Sequence, residues 1–476
     1  FYPMLPGNIA DKQKARETIM SRRVKVLKTP YSAYQRAHTD AFDEELCRVG
    51  RGTPCGEYLR RFWQPVFVES ELNDTPTAIR ILGEDLVIFR DGRGDIGLLE
   101  RRCVHRGTSL EFGKIVERGI RCCYHGWQFD VDGTILDTPG EPPDSPIRQK
   151  ICQGAYPVQS WRGVVFAYMG PPDKRPEFPV FDAFEHEAAI GRLRVNHSAC
   201  NWLQVNENET DPIHLTFLHT RLFGVQFEPV YGEIPTMEWI ETPVGMLYIT
   251  VRRWKDHLYL RTNDMLMPNA VRVAGIDDAE GETLFDRRGS SLSWVVPVDD
   301  TNCFSIGWSD IDKTLILPDR SGYVDRRAEK REHVVGAGDV GQTGEPSYED
   351  RQRAPGDWDA WSSQGRITLH SREHLGTTDR GVTLYRKLLR RGIRAVARGK
   401  TPKGLKFNGS EQRPTYCHNT VARIPKAGSK TKDEALKLAF GREVTRRIIG
   451  NEYSKDTLGC ADPKRLTEVR RALGVE

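Results

Sequence analysis

Cys103-Val104-His105 and, after sixteen further residues, Cys122-Cys123-Tyr124-His125 decide how this chain is read. Two thiols and two imidazoles from these pairs fall within 23 residues. Each pair lies between short runs that predict strands, and Gly107 and Gly126 come just after the two histidines. A residue without Cβ suits a tight turn there, one that brings backbone N–H groups round towards the ligands. The spacing therefore aims four metal ligands at one point from the tips of two β loops.

Two Cys on one iron and two His on the other is the donor set of a Rieske [2Fe-2S] cluster, in which the imidazoles raise the potential above that of an all-Cys cluster. The expected ligands are Cys103, His105, Cys122 and His125. Cys123 would leave a single residue before His125, so it is expected to pack as a small apolar side chain instead. A structural zinc site uses the same ligand types but favours two similar knuckles, and a Cys-X-His followed by a Cys-X-X-His does not supply them.

Working outwards, Ala78 to Leu82 and Leu86 to Arg90 read as strands, separated by Gly83-Glu84 and closed by Asp91-Gly92. Gln128 to Val131, the Asp132-Gly133 hairpin signal and Gly163 to Tyr168 continue the same texture up to the proline-rich run ending at Pro179. Residues 1–45 read as an N-terminal arm with a helix between Asp11 and Lys28, residues 46–180 as an all-β cluster domain, and residues 181–476 as a catalytic domain with a C-terminal helical extension. The later domain reads as α+β, with strands expected at Met246 to Arg253, Leu258 to Thr262, Ser291 to Val296 and Phe304 to Trp308. Residues 310–359 lack periodicity and read as a long surface excursion. Helical spacing returns after Asp379 and again over Lys432 to Ile449.

The bulk numbers narrow the function classes. A net charge of +4 over 476 residues is too small to point at nucleic acid. No apolar run reaches the roughly 18 residues that span a bilayer, and no leader pattern opens the chain, so a cytoplasmic protein is expected. Ten cysteines spread along such a chain read as metal ligands and free thiols. No Gly-X-Gly-X-X-Gly segment opens a helix after a strand, so no nicotinamide site is expected.

A second constellation runs Asn208-Glu209-Thr210-Asp211-Pro212-Ile213-His214-Leu215-Thr216-Phe217-Leu218-His219. It reads as part of a helix over Asn201 to His219, in which Asp211, His214 and His219 project to one side if Pro212 loosens the winding. Two histidines and a carboxylate with open positions is the set that holds Fe(II) for oxygen chemistry.

Taken with the cluster motif upstream, this run resembles the α-subunits of Rieske non-haem iron ring-hydroxylating oxygenases. Leu46-Cys47-Arg48-Val49-Gly50-Arg51-Gly52-Thr53-Pro54, Arg60, Arg61, Trp63 and the run Glu373-His374-Leu375-Gly376-Thr377-Thr378-Asp379-Arg380 are similar to the phthalate 4,5-dioxygenase branch, which includes aromatic-acid O-demethylases such as 5,5′-dehydrodivanillate O-demethylase. The resemblance implies an all-β Rieske domain followed by a helix-grip-like antiparallel-sheet catalytic domain. It implies that His214, His219 and Asp379 ligate the iron, with Glu373 and Asp211 as competitors for the carboxylate position, and that Asn208 and Asp211 serve catalysis. Asp211 would link His214 to His125 of a neighbouring subunit, since the two metals of one chain are too far apart in this family; a homotrimer follows. The implied substrates are O₂ and an aromatic acid, either dihydroxylated on the ring or O-demethylated, with electrons from NAD(P)H through a separate reductase or ferredoxin. Arg252, Arg253 and Arg261 are candidates for the substrate carboxylate, and alternation lets at most one of the first two face the pocket. The rival is a Rieske electron carrier without oxygenase activity; respiratory carriers have an extra Cys pair, and Thr108 stands where its first member would be.

Overall fold

The computed structural model describes residues 29–35, 40–182, 192–275, 281–287, 290–311, 343–405, 413–450 and 463–475. The expected helix between Asp11 and Lys28 lies outside them. None of the helices among the described residues is long and apolar enough to cross a membrane.

The cluster region is built from small antiparallel sheets. Thr77–Ile81, Glu84–Arg90 and Ile96–Glu100 form one, Lys114–Ile115 to Ile135–Asp137 a four-stranded second, and Trp63–Val68, Val164–Tyr168 and Val158–Trp161 a third. A separate core of Val87, Phe89, Leu99, Ile120, Trp127 and Phe129 holds the first two together, and Cys103 and Cys122 are part of it. Leu82 and Gly83, both at positive φ (51° and 79°), make the two-residue hairpin turn that matches strand twist. That turn docks on the second domain, where Leu82 and Gly83 donate their N–H groups to the Pro297 and Val298 carbonyls (2.9 and 2.8 Å).

The second domain is a nine-stranded antiparallel sheet. Its strands are β1 (Arg192–Ser198), β2 (Thr236–Glu241), β3 (Gly245–Trp254), β4 (His257–Leu266), β5 (Ala270–Val273), β6 (Thr283–Asp286), β7 (Ser290–Asp299), β8 (Asn302–Ile311) and β9 (His418–Arg423). The main path runs β1-β8-β7-β5-β4-β3-β2, with β9 paired to β4 and β6. All four strands expected in this domain are present and longer than the sequence indicated.

Alternation gives the sheet two different faces. Leu247, Ile249 and Val251 of β3 and Leu258 and Leu260 of β4 pack with Phe440 and Val444 of the helix Lys430–Ile449. Tyr248 of β3, Arg261 and Asn263 of β4, Ser291 and Ser293 of β7 and Ser305 of β8 line a cavity instead. That polar face is closed by helix α1 (Trp202–Asn208) and the turns after it. Helix α2 (Arg380–Ala397) is also as expected, and Arg386 on it makes two-pronged pairs with Glu207 of α1 and with Glu373.

The expected single helix over Asn201 to His219 is three pieces. Helix α1 is capped by Asn201, whose side chain accepts from the Leu203 N–H, and it ends at Asn208. A short turn, His214–Thr216, follows Pro212, and then a π turn, Phe217–Arg221. Pro212 has no N–H to continue the ladder, which explains the first break.

Candidate metal centres and their cavity

The two cluster loops repeat one hydrogen-bond plan. Cys103 donates its N–H to the Thr108 carbonyl (2.8 Å) and accepts from Gly107 (2.8 Å); Cys122 donates to Trp127 (2.8 Å) and accepts from Gly126 (3.1 Å). Both glycines sit at positive φ, 78° and 73°, which side chains with a Cβ rarely adopt. The Cys103 and Cys122 side chains are buried, while His105 and His125 keep part of their rings at the surface. The imidazoles lie edge to face with centroids 4.6 Å apart, and His105 stacks flat on Trp127 at 4.4 Å. Burial, and then the adjoining Cys122 thiol, push the Cys103 thiol up to about 11. Cys103 then becomes a thiolate against a strong cationic charge, which a bound metal supplies. Two buried thiols and two half-exposed imidazoles fit a [2Fe-2S] cluster with its histidine edge at the surface.

Cys123 is exposed, contrary to the expected apolar packing. The tip of the loop turns it outwards while Cys122 takes the inward position. Gln153, which the sequence did not bring forward, pins the first loop. It is 1% exposed, accepts from the Val104 N–H at 2.7 Å and donates to the Glu100 and Arg102 carbonyls at 2.8 and 3.0 Å.

The second centre depends on the π turn. On an α-helix, residues five apart stand about 140° from each other, which would send His214 and His219 to different faces. The wider winding, closed by Leu222 N–H to Phe217 carbonyl (3.0 Å), brings His219 back beside His214. The ring centroids are 5.3 Å apart. The third member is Asp357. Its Oδ1 lies 3.0 Å from His219 Nε2 and 3.5 Å from His214 Nε2.

Each imidazole has its other nitrogen tied off. His214 Nδ1 is bonded to the Asp211 carbonyl, and His219 Nδ1 to Gln226 Oε1 at 2.7 Å. Gln226 is itself held through Nε2 on the Pro355 carbonyl (3.2 Å), next to Asp357. These bonds place a hydrogen on each Nδ1 and leave both Nε2 lone pairs directed at one point with a carboxylate oxygen. His219, Asp357 and His214 therefore fit a two-histidine, one-carboxylate Fe(II) site whose open side is the cavity.

Several sequence expectations change here. Asp379 is not with the histidines: it ends a one-turn segment, Thr377–Asp379, and its carboxylate takes the Gly376 N–H. Glu373 is held by Arg386. Asp357 lies in the stretch read as a surface excursion; it opens the helix Asp357–Ser362 and is 7% exposed. Asn208 donates to Asp357 Oδ1 at 3.1 Å, so it positions that carboxylate. Asp211 reaches His214 through its main-chain carbonyl, while its carboxylate Oδ1 accepts from the Ile213 N–H at 2.9 Å.

The cavity beside this centre measures about 290 Å³. Of the three candidate arginines, Arg261 lines it and the other two do not. Arg252 is turned to the Glu233 and Pro212 carbonyls, and Arg253, on the opposite face of β3, grips Asp433. Arg261 is 4% exposed, packs over the Tyr231 ring (5.2 Å to the centroid), donates from Nη2 to the Ala274 carbonyl (2.7 Å), and has an Nε with no partner among the described residues. Glu209 also lines the cavity, and burial, followed by the Asp357 charge, pushes its carboxyl up to about 7.

With this geometry in view, the likenesses to other proteins are informative. Residues 62–161 match the Rieske [2Fe-2S] domain. The oxygenase subunit of a tert-butanol monooxygenase / tert-amyl alcohol desaturase from Aquincola tertiaricarbonis is 42% identical, over 82% of this chain and 84% of its own. The α subunit of phenoxybenzoate dioxygenase from Ectopseudomonas oleovorans is 37% identical, over 82% of this chain and 95% of its own. Among solved structures, the NdmA QL mutant of Pseudomonas putida CBB5 with caffeine aligns with a TM-score of 0.54 at 20% identity, covering 75% of this chain and 99% of that one. That last likeness is one of fold. The chain belongs to the Rieske non-haem iron oxygenases, in the branch of phthalate 4,5-dioxygenase, as a terminal oxygenase subunit with a [2Fe-2S] cluster and a mononuclear iron that draws its electrons from a separate reductase.

Proposed function

We propose that this oxygenase subunit acts on a single-ring aromatic carboxylic acid whose carboxylate is held by Arg261. The observation that carries this reading is a buried guanidinium in the cavity wall whose Nε has no partner among the described residues. A planar guanidinium in low dielectric binds a carboxylate by paired, charge-assisted hydrogen bonds. A cavity of about 290 Å³ is at the small end for ligands, which run from roughly 300 Å³ upwards, and it suits one ring better than two. The phenoxybenzoate relative, by its name, also acts on an aromatic acid.

The mononuclear iron, when bound, activates O₂ with electrons that pass through the Rieske cluster. The protein's own part is to fix His214, His219 and Asp357 through Asp211, Gln226 and Asn208, and to hold the ring against the cavity's open side. For the electron path we adopt a homotrimer. Val104, Phe112 and Tyr124 near the cluster, and Phe217, Leu222, Phe223 and Val225 near the second centre, are large apolar side chains exposed in a single chain. Clusters of this kind favour burial in an interface. His125 of one copy would then meet Asp211 of the next, whose second carboxylate oxygen is available.

The test pairs the protein with a surrogate NADH-dependent reductase and follows O₂ uptake and product mass on benzoates and methoxybenzoates, for wild type and Asp211→Asn. Wild type is expected to couple uptake to product, with formaldehyde marking O-demethylation and a cis-diol marking ring attack. Asp211→Asn keeps the carbonyl that orients His214, so it should retain all its iron and lose turnover by at least about a hundredfold. Turnover of tert-butanol with no turnover of any carboxylate would overturn the acid assignment, and full activity of Asp211→Asn would remove the route between subunits.

A further inference from the structure

Among the described residues, several buried or half-buried acids are paired. Glu207 is met by Arg386, Asp182 by Arg287, Asp433 by Arg253, and Asp264 by the N–H groups of Tyr416 and Cys417. Glu209 is different. It stands in the wall of the cavity, and no hydrogen bond or ion pair within the described residues engages its carboxyl. Glu209 is half-buried and meets the open space of the cavity, where an occupant can supply the partner that the protein does not.

Tyr248 lines the same cavity with a complementary gap. Its hydroxyl oxygen accepts a hydrogen bond from Asn263 Nδ2. The acceptor side of the hydroxyl is thus in use, which leaves its hydrogen to be donated elsewhere. An acceptor and a donor, neither with a partner among the described residues, therefore face one small space. A hydroxyl group is the simplest ligand that answers both at once, since it carries one hydrogen and lone pairs on the same atom. A carboxyl of Glu209 keeps an acceptor oxygen in either protonation state, so the match does not turn on its charge.

We propose that Glu209 and Tyr248 form a hydroxyl-recognition pair, and that the substrate therefore carries a hydroxyl group in addition to the carboxylate held by Arg261. The hydroxyl donates to Glu209 and accepts from Tyr248. The inference rests on the aromatic-acid reading for its carboxylate and can be separated from it by experiment. Glu209 is here a specificity-determining residue. A site built to hydrogen-bond a hydroxyl discriminates strongly against an analogue that lacks it, because the protein groups are then left unpaired.

The test measures equilibrium binding to the iron-loaded protein for two matched pairs of probes. One pair is 4-hydroxy-3-methoxybenzoate and 3,4-dimethoxybenzoate; the other is tert-butanol and tert-butyl methyl ether. Methylation removes the hydrogen that Glu209 would accept and keeps the oxygen. Wild type should prefer the hydroxylated acid by on the order of ten- to a hundredfold, Glu209→Leu should narrow that ratio to within about threefold, and the shape-matched Glu209→Gln should fall between. Should Glu209→Leu fail to fold, Glu209→Gln decides alone, and its ratio must drop below that of wild type. An unchanged ratio in the variants overturns the pair. So does loss of the mononuclear iron from both variants, which would make Glu209 part of the metal centre. If neither acid binds wild type but the alcohol pair shows a Glu209-dependent ratio, the pair stands and the aromatic-acid reading falls. If wild type discriminates within neither pair, the hydroxyl assignment is wrong.

Discussion

The two metal centres of this chain are built on opposite plans. The cluster site is local: the four residues that fit it come from two tight turns within 23 residues, and each turn closes on its own backbone, Cys103 with Gly107 and Thr108, Cys122 with Gly126 and Trp127. The mononuclear site is assembled at a distance. His219 meets Asp357 across 138 positions of sequence, and Gln226 meets Pro355 across 129. Local sites announce themselves through spacing, whereas distant ones become visible only when the sheet and α1 have brought the pieces together.

The first way to break this comparison carries the largest effect. Asp357→Ala removes a charged ligand supplied only by long-range folding, so the mononuclear iron should be lost while the cluster and its visible absorption persist. Iron content should fall from about three per chain to about two, with turnover reduced beyond the roughly 10–100-fold expected for a supporting residue. Asp379→Ala, whose carboxylate takes the Gly376 N–H, should keep about three irons. If the outcomes were reversed, with Asp379 needed for iron and Asp357 dispensable, the carboxylate assigned from the geometry would be wrong.

How far the sequence could be read follows the same division. Cys103, His105, Cys122 and His125 were legible from spacing alone, and so were the strands of β3, β4, β7 and β8, because alternation and turn residues act over a few positions. His214 and His219 were legible as a pair, but the π turn that unites them was not, since an extra residue of winding leaves no periodic trace. Asp357 was missed because Pro355-Gly356-Asp357 looks like any loop entering a short helix. Asp379 was preferred through family resemblance, yet its carboxylate is used by the Gly376 N–H. Arg261 could not be told from Arg252 by alternation, because both stand on the same face of the sheet, Thr250 of β3 pairing with Arg261 of β4 and Arg252 lying two residues further along; which of them lines the cavity depends on position along the strands. Glu209 lay in the quoted run all along, and nothing in its spacing distinguished a cavity wall from a solvated position.

A second prediction sharpens the comparison at intermediate size. Gln226→Leu removes the bond that fixes His219 Nδ1 and the tie to Pro355, while leaving all three ligands. Loss of such a supporting residue typically weakens metal affinity by roughly 10–100-fold. Iron titration of the metal-stripped protein should show that weakening at the mononuclear site alone. Unchanged affinity would mean that packing against Phe227, whose ring centroid is 4.8 Å from that of His219, is enough to orient the imidazole.

The smallest effect is expected at a long-range tie of the cluster site, Gln153. Gln153 reaches back 49 positions to the Val104 N–H and also spans the Glu100 and Arg102 carbonyls. Gln153→Leu removes three hydrogen bonds to part-buried backbone groups that water can then reach, each worth roughly 1 kcal/mol net or less, read as a lower denaturant midpoint. Because both cluster turns close on their own backbone, the variant should still assemble its cluster with the wild-type absorption and iron content. If instead the cluster failed to assemble in a folded Gln153→Leu protein, the local turns would not suffice to hold it. The cluster site would then depend on distant chain in the way the mononuclear site does, and the contrast between the two centres would become one of degree.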